Sequence, residues 1–229
     1  MKSLKLALMF LMVVLAFPRI GACAPCYGTA MPQKDKFFSG FQAHRVLDKK
    51  LKNDQGSMRS TQGLYLLSWG VSDRFCLDGK IGVGGLRQQP QNSEQIAYKA
   101  WFSGGYGFRM QLLRRDLTKI VWGFQHISTH PRARQVDGAK HKAIMDDWQV
   151  SFLASRCFSR FVPYAGLRLG RMDYIHWVEQ LGHRVRSDMA RSLSGILGTD
   201  FKVSDKSWIN LEVQAPNGTA ASISYNFKL

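Results

Sequence analysis

The carboxyl terminus constrains this chain most. Ala221, Ile223, Tyr225, Phe227 and Leu229 alternate with Ser222, Ser224, Asn226 and Lys228 up to the last residue. Successive side chains of an extended backbone point to opposite faces, so a period of two gives a strand with one apolar and one polar face. Tyr98, Ala100, Phe102, Gly104, Tyr106, Phe108, Met110 and Leu112 repeat the pattern against Lys99, Trp101, Ser103, Gly105, Gly107, Arg109 and Gln111. A strand of about fifteen residues is long for a soluble sheet, where about five or six is usual. Shorter stretches behave alike: Phe75, Leu77, Ile81 and Val83 oppose Cys76, Asp78, Lys80, Gly82 and Gly84, while Ile209, Leu211 and Val213 oppose Trp208, Asn210, Glu212 and Gln214.

The amino terminus carries a second signal. Lys2 and Lys5 precede the uncharged run Leu6 to Phe17, and small residues Gly21, Ala22 and Ala24 follow. That order is a secretory signal peptide, assigned to residues 1–24, with Ala22 or Ala30 as the last residue removed because Pro25 disfavours cleavage after Ala24. Ile20-Gly21-Ala22-Cys23 also fits a lipidation box on Cys23. No later run approaches the roughly 20 apolar residues of a membrane helix, so a helical membrane protein is excluded. An exported chain either is soluble or crosses a membrane with strands that hide their hydrophobicity by alternation.

Turn spacing selects the second option. Polar turns fall around Asp73, Asp116, Arg160 and Asp205, at separations of 43, 44 and 45 residues. Each unit holds two long strands and one longer polar connection, unlike a propeller blade, which packs four short strands into a similar period. The pattern predicts about ten strands, at roughly 37–47, 61–71, 75–86, 97–112, 118–128, 147–157, 161–172, 189–203, 207–214 and 220–229. Residues 37–229 then form a closed, all-β, antiparallel up-and-down transmembrane barrel, preceded by a segment at 25–36. Short turns lie at one end. Long loops, at about 48–60, 87–96, 129–146, 173–188 and 215–219, lie at the other.

The export signal, this turn asymmetry and the closing Tyr225-Asn226-Phe227-Lys228-Leu229 resemble a Gram-negative outer-membrane β-barrel protein, from about residue 37 to the end. The resemblance implies placement in the outer membrane and handling by the barrel-assembly machinery. It departs from that family at the final residue, which is Leu229, with Phe227 the nearest aromatic.

Charge bears on partners. The chain carries 32 Lys and Arg against 16 Asp and Glu, and residues 1–24 hold three of the cations and no acid, leaving a net charge of +13. Such a balance calls for an anionic partner, yet the export signal and the lack of any recognition motif argue against nucleic acid. The third loop contains His130, Arg132, Arg134, Lys140, His141 and Lys142 against Asp137 and Asp146. Arg132, Arg134, Lys140 and Lys142 are therefore candidate ligands of outer-membrane lipid, specifically lipopolysaccharide phosphates; a solvated loop is the alternative. On the inward parity, Asp78, Asp200 and Glu212 face Lys80, Arg109 and Arg168. These charges are expected to pair and to close a narrow lumen.

Cys76 and Cys157 share the lumen parity but stand three strands apart, roughly 15 Å between Cα atoms against a bridging limit near 7 Å, so no disulfide is expected. Cys23 and Cys26 have redox-motif spacing without the helix such a motif needs.

One motif bears on catalysis. Ile120, Trp122 and Phe124 take the lipid-facing parity, and His126 and Ser128 share it. A His-x-Ser pair at the loop end of an outward strand face resembles outer-membrane phospholipase A and the lipid A deacylases. The resemblance implies Ser128 as nucleophile and His126 as base, with an acidic or amide residue orienting the His. The corresponding position holds Lys140, so Asp137 and Asp146 are the substitutes. This chemistry requires no metal and no cofactor. A histidine seated in the aromatic girdle is the plainer reading, and a non-enzymatic barrel with a structural or surface-interaction role is the preferred expectation.

Overall fold

The computed structural model describes residues 27–52, 55–91, 93–179, 182, 184–188, 192–215 and 219–229. The expected signal peptide at 1–24, Cys23 and Cys26 lie outside them.

The strands are β1 (Phe37–Lys50), β2 (Ser57–Ser72), β3 (Phe75–Gln89), β4 (Ile96–Arg115), β5 (Thr118–Arg132), β6 (Arg134–Val136), β7 (Ala139–Arg156), β8 (Phe161–Val178), β9 (Arg184–Asp188), β10 (Ser192–Lys202), β11 (Ser207–Ala215) and β12 (Thr219–Lys228). Every long strand pairs antiparallel with its neighbours, and β1 pairs with β12, which closes the ring. β5 and β6 pair successively with β7, and β9 and β10 with β8. The wall is thus ten strands thick around its circumference, two of them interrupted. Closure leaves no open sheet edge, which a bilayer could not satisfy.

Alternation decides which face is which. Ser222, Ser224 and Asn226 are buried inside the ring, while Ile223 and Tyr225 are exposed on its outside. The exterior is lined with apolar and aromatic side chains, among them Phe41, Tyr65, Leu67, Trp69, Ile81, Val83, Tyr106, Leu167, Leu169 and Leu211. Neighbouring strands join them into aromatic ladders. Phe37 stacks on Trp69 with ring centroids 6.1 Å apart, and Phe108 meets Trp122 edge-on at 5.2 Å. Such a surface is stable only against hydrocarbon.

Three expectations need correction. The first concerns Tyr98, expected on the same face as Phe102. Irregularities at Gly84/Leu86 and Lys99/Phe102 insert a β-bulge, so Tyr98 and Ile96 turn inward while Phe102 stays outside. An extra residue in one strand reverses every side chain beyond it.

The second concerns the loops, which are shorter than the polarity of their sequences suggests. The 129–146 stretch is mostly hairpin, turned at Asp137 and Gly138 with φ of 50° and 75°. Two consecutive positive φ values make the tight type I′ connection that Asp-Gly favours. β8 likewise runs to Val178 and pairs with β9, where a 173–188 loop was expected. The wall therefore rises well above its apolar belt on the long-loop side.

Third, the lumen is not uniformly polar. Leu51, Met58, Leu86, Ile96, Tyr98, Ala143, Met145, Met172 and Tyr174 pack together inside the long-loop end. Leu51, Met58, Ile96, Ala143, Met145 and Tyr174 fall within the stretches expected to be loops, where pairing above the bilayer carries the inward face further than the sequence pattern suggests.

Candidate functional site

The lower lumen is a buried charge network. Arg109 grips Asp78 with two parallel bonds, Nε to Oδ2 and Nη2 to Oδ1, each 2.8 Å, and Ser68 Oγ donates to the same carboxylate. Fork-to-fork pairing satisfies the guanidinium and the carboxylate together, which a buried pair needs to offset desolvation. Across the lumen, Tyr164 donates to Glu212 at 2.9 Å, and Asn210 donates both to Tyr164 Oη and to Asp200. Lys80 donates to Gln125. Arg168 pairs with Asp147 at 2.9 Å, both side chains wholly enclosed. Asp78, Lys80, Arg109, Arg168, Asp200 and Glu212 all face the lumen. Arg168's acidic partner is Asp147, the first residue of the strand expected at 147–157, which the inward charges named from the sequence do not include. Cys76 and Cys157 are both free thiols.

A component without any periodic signal completes this layer. The segment from Tyr27 to Lys36 enters the barrel from the short-turn end. Arg109 Nη1 donates to the carbonyls of Tyr27, Gly28 and Ala30, and Lys119 Nζ donates to the Thr29 carbonyl at 2.7 Å. Thr29 Oγ1 donates to Ser155, and Lys80 Nζ sits 3.9 Å from the centre of the Tyr27 ring. Gly28 has a φ of +69°, and a Cβ there would come within 3.0 Å of Asn210 Nδ2, so glycine suits both the backbone and the space. Asp35 N bonds to Gly70 O, and Gly70 N bonds to Lys36 O, which fastens the segment to β2 as it leaves the lumen.

The lipid-facing residues arrange themselves differently from expectation. Ser128 Oγ is bonded to His130 Nε2 at 2.7 Å, not to His126. The two imidazoles lie two residues either side of Ser128 on one strand face, and aromatic packing separates their roles. His126 lies flat on Trp148 with centroids 3.8 Å apart and meets Tyr106 edge-on, whereas among the described residues His130 has only the tilted ring of Phe102, at 6.1 Å. His126 Nδ1 is buried without a hydrogen-bond partner among the described residues. Asp146 stands directly across the ladder from Ser128, half-buried on the same outward face. Asp137 occupies the exposed hairpin turn, away from the pair.

The basic residues of the rim divide in two. Lys140 and Lys142 each form a 2.8 Å bridge to Glu179, so the expected pair of lipid-binding lysines already shares a carboxylate. Those two bonds hold the Glu179 carboxyl down to about 2. Arg134 is exposed on β6, and Arg132 lies 4.0 Å over the ring of Trp101. Beside them His141 Nδ1 and His176 Nε2 are 3.0 Å apart.

No family model matches the chain, and no curated protein does. Among solved structures it is similar to the transport unit of the autotransporter AIDA-I from Escherichia coli, at 13% identity and a TM-score of 0.49, over 85% of this chain and 90% of that one. It is also similar to Ail, the attachment invasion locus protein of Yersinia pestis, at 9% identity and a TM-score of 0.44, over 87% of this chain and all of that one. The class follows from the wall itself. A closed antiparallel ring with an apolar exterior, short turns and both strand termini at one end, and longer connections at the other, is a bacterial outer-membrane β-barrel.

Proposed function

We propose that this protein is a non-conducting outer-membrane barrel that acts through its extracellular rim, in a structural or surface-interaction role. The observation that carries the reading is the start of the Tyr27–Lys36 segment, whose carbonyls from Tyr27 to Ala30 are held in the lumen by Arg109 and Lys119. Above it the Met58–Tyr98–Tyr174 cluster forms an apolar layer across the same passage. A path for ions would have to displace a buried guanidinium–carboxylate pair and then cross that apolar layer. The test is planar-bilayer recording of the refolded protein. The expected result is no stable conductance; large, long-lived steps in the wild type would remove the reading.

The 2.7 Å contact between Ser128 and His130 favours a second reading, hydrolysis of a lipid ester. Ser128 Oγ would attack the acyl carbon while His130 Nε2 takes its proton. The imidazolium would then protonate the departing alcohol, and water would release the fatty acid. Asp146, across the ladder from Ser128, is the acid nearest the pair in register. Substrate would arrive from the bilayer, which both side chains face.

A further inference from the structure

Two rungs of the outward ladder set like charges against each other. Arg59 on β2 is the direct cross-strand partner of Arg87 on β3, and Lys99 on β4 is the direct partner of Arg132 on β5. Like charges directly opposite destabilise a sheet, so a ladder holding two such rungs side by side is incomplete without an anion. All four side chains are exposed. Among the described residues none of the four forms an ion pair; the outward positions around them on β2 to β5 carry Ser57, Thr61, Gly85, Gln89, Ala97 and His130, and the exposed Asp48, in the β1 bulge opposite Arg59, is a single acid against four cations.

Their height is as informative as their charge. On β3, Arg87 is twelve residues from Phe75 at the lower edge of the apolar belt; on β5, Arg132 is twelve from Ile120. At about 3.3 Å per residue and a tilt near 40°, twelve residues climb about 30 Å, just beyond an apolar band of about 25 Å. The four cations thus stand at the headgroups of the outer leaflet. Trp101, at the bulge, lies directly under the Arg132 guanidinium and holds it at that level. The strip crosses four adjacent strands, about 15 Å at 4.8 Å per step, which is wider than one phosphate.

We propose that Arg59, Arg87, Lys99 and Arg132 form a binding strip for a glycolipid of the outer leaflet bearing more than one phosphate. This deepens the surface role proposed above. It rests on the long connections facing outward and not on the closed lumen, so a conducting barrel would leave it standing. Arginine forks take phosphate oxygens in pairs, and a ligand anchored by its acyl chains beside the belt would present its phosphates at this height.

The experiment is native mass spectrometry of the detergent-solubilised protein with defined lipids. Bisphosphorylated lipid A is expected to be retained about thirtyfold more than its phosphate-free form, and R59Q/R87Q/K99Q/R132Q is expected to lose that preference. K140Q/K142Q should keep it, because those lysines are held by Glu179. Equal retention of the two lipids by the wild type overturns the proposal whether or not the fourfold variant folds. An undiminished preference in a fourfold variant that still shifts on heating in gels overturns it too. So does phosphatidylglycerol binding as tightly as lipid A, or displacement of lipid A by equimolar inorganic pyrophosphate, which would point to any anionic lipid or to a soluble anion.

Discussion

Ser128 shows what parity conveys about a residue and what it does not. Alternation along Ile120, Trp122, Phe124, His126, Ser128 and His130 puts all of these side chains on the outward face, and they are there. Parity cannot choose between two histidines equidistant from one serine. That choice is made by cross-strand packing, since Trp148 captures His126 and leaves His130 to Ser128. The lumen behaves the same way. Asp78, Arg109 and Arg168 are legible as inward charges, while Arg168's partner Asp147 is not, because it stands at the very start of its expected strand, where alternation has barely begun. The catalytic reading inherits a sharp expectation from this geometry. If the protein releases fatty acid from lipid A or phospholipid, Ser128→Ala should abolish release and His130→Ala should cut it by about 10²- to 10⁴-fold. His126→Ala should leave it within a few-fold. Mass spectrometry of released acids measures all three, and a variant order with His126 essential and His130 dispensable would refute the assignment.

At the scale of elements, long strands with clean alternation and four evenly spaced turns were legible, and the ten-strand ring follows from them. Two kinds of element were not. The plug segment at 27–36 has no period, because it is held by its carbonyls and not by a patterned face. The rim hairpins are polar on both sides, since above the bilayer neither face needs to be apolar, so alternation fades although pairing continues. Asp137-Gly138 was the available turn signal in the first of them. Lys140 and Lys142 on β7 bind Glu179, just beyond the end of β8, and so tie these two strands together above the membrane. Glu179 is depressed below its ordinary value near 4.5 by the two lysine hydrogen bonds. A carboxylate with a lowered folded value contributes fully above its unfolded range and loses that contribution as pH falls towards about 2. The tie should therefore persist at pH 5 and release only in strong acid. Carbon-detected NMR of the Glu179 carboxyl should give a midpoint near 2 that moves up towards the ordinary range in K140M/K142M. An unmoved midpoint would mean that the lysines do not hold it.

The whole molecule is set by the match between its exterior and a bilayer. On β3 the outward series Phe75, Leu77, Ile81 and Val83 gives way to Gly85 and Arg87. At about 2.5 Å of vertical climb per tilted residue, the apolar run ends about 20 Å above Phe75 and the arginine stands about 30 Å above it. The wall thus suits a hydrocarbon layer of about 25 Å, thinner than the roughly 30 Å of a typical bilayer. In a thicker layer the guanidiniums and the Lys99 ammonium must enter hydrocarbon, or the lipid must thin around the barrel. Either response costs a fraction of a kcal/mol per ångström, and a charge near the interface costs up to about 1 kcal/mol. Four cations on adjacent strands make that cost collective on one side of the ring. Refolded into phosphatidylcholine vesicles of increasing chain length, the protein should be most heat-stable near 25 Å of hydrocarbon. Its unfolding midpoint, read from the loss of the heat-modifiable gel band, should fall as the layer thickens beyond 30 Å. R59Q/R87Q/K99Q/R132Q should flatten that decline. A midpoint that rises with chain length, or a decline unchanged in the fourfold variant, would place these residues elsewhere relative to the membrane.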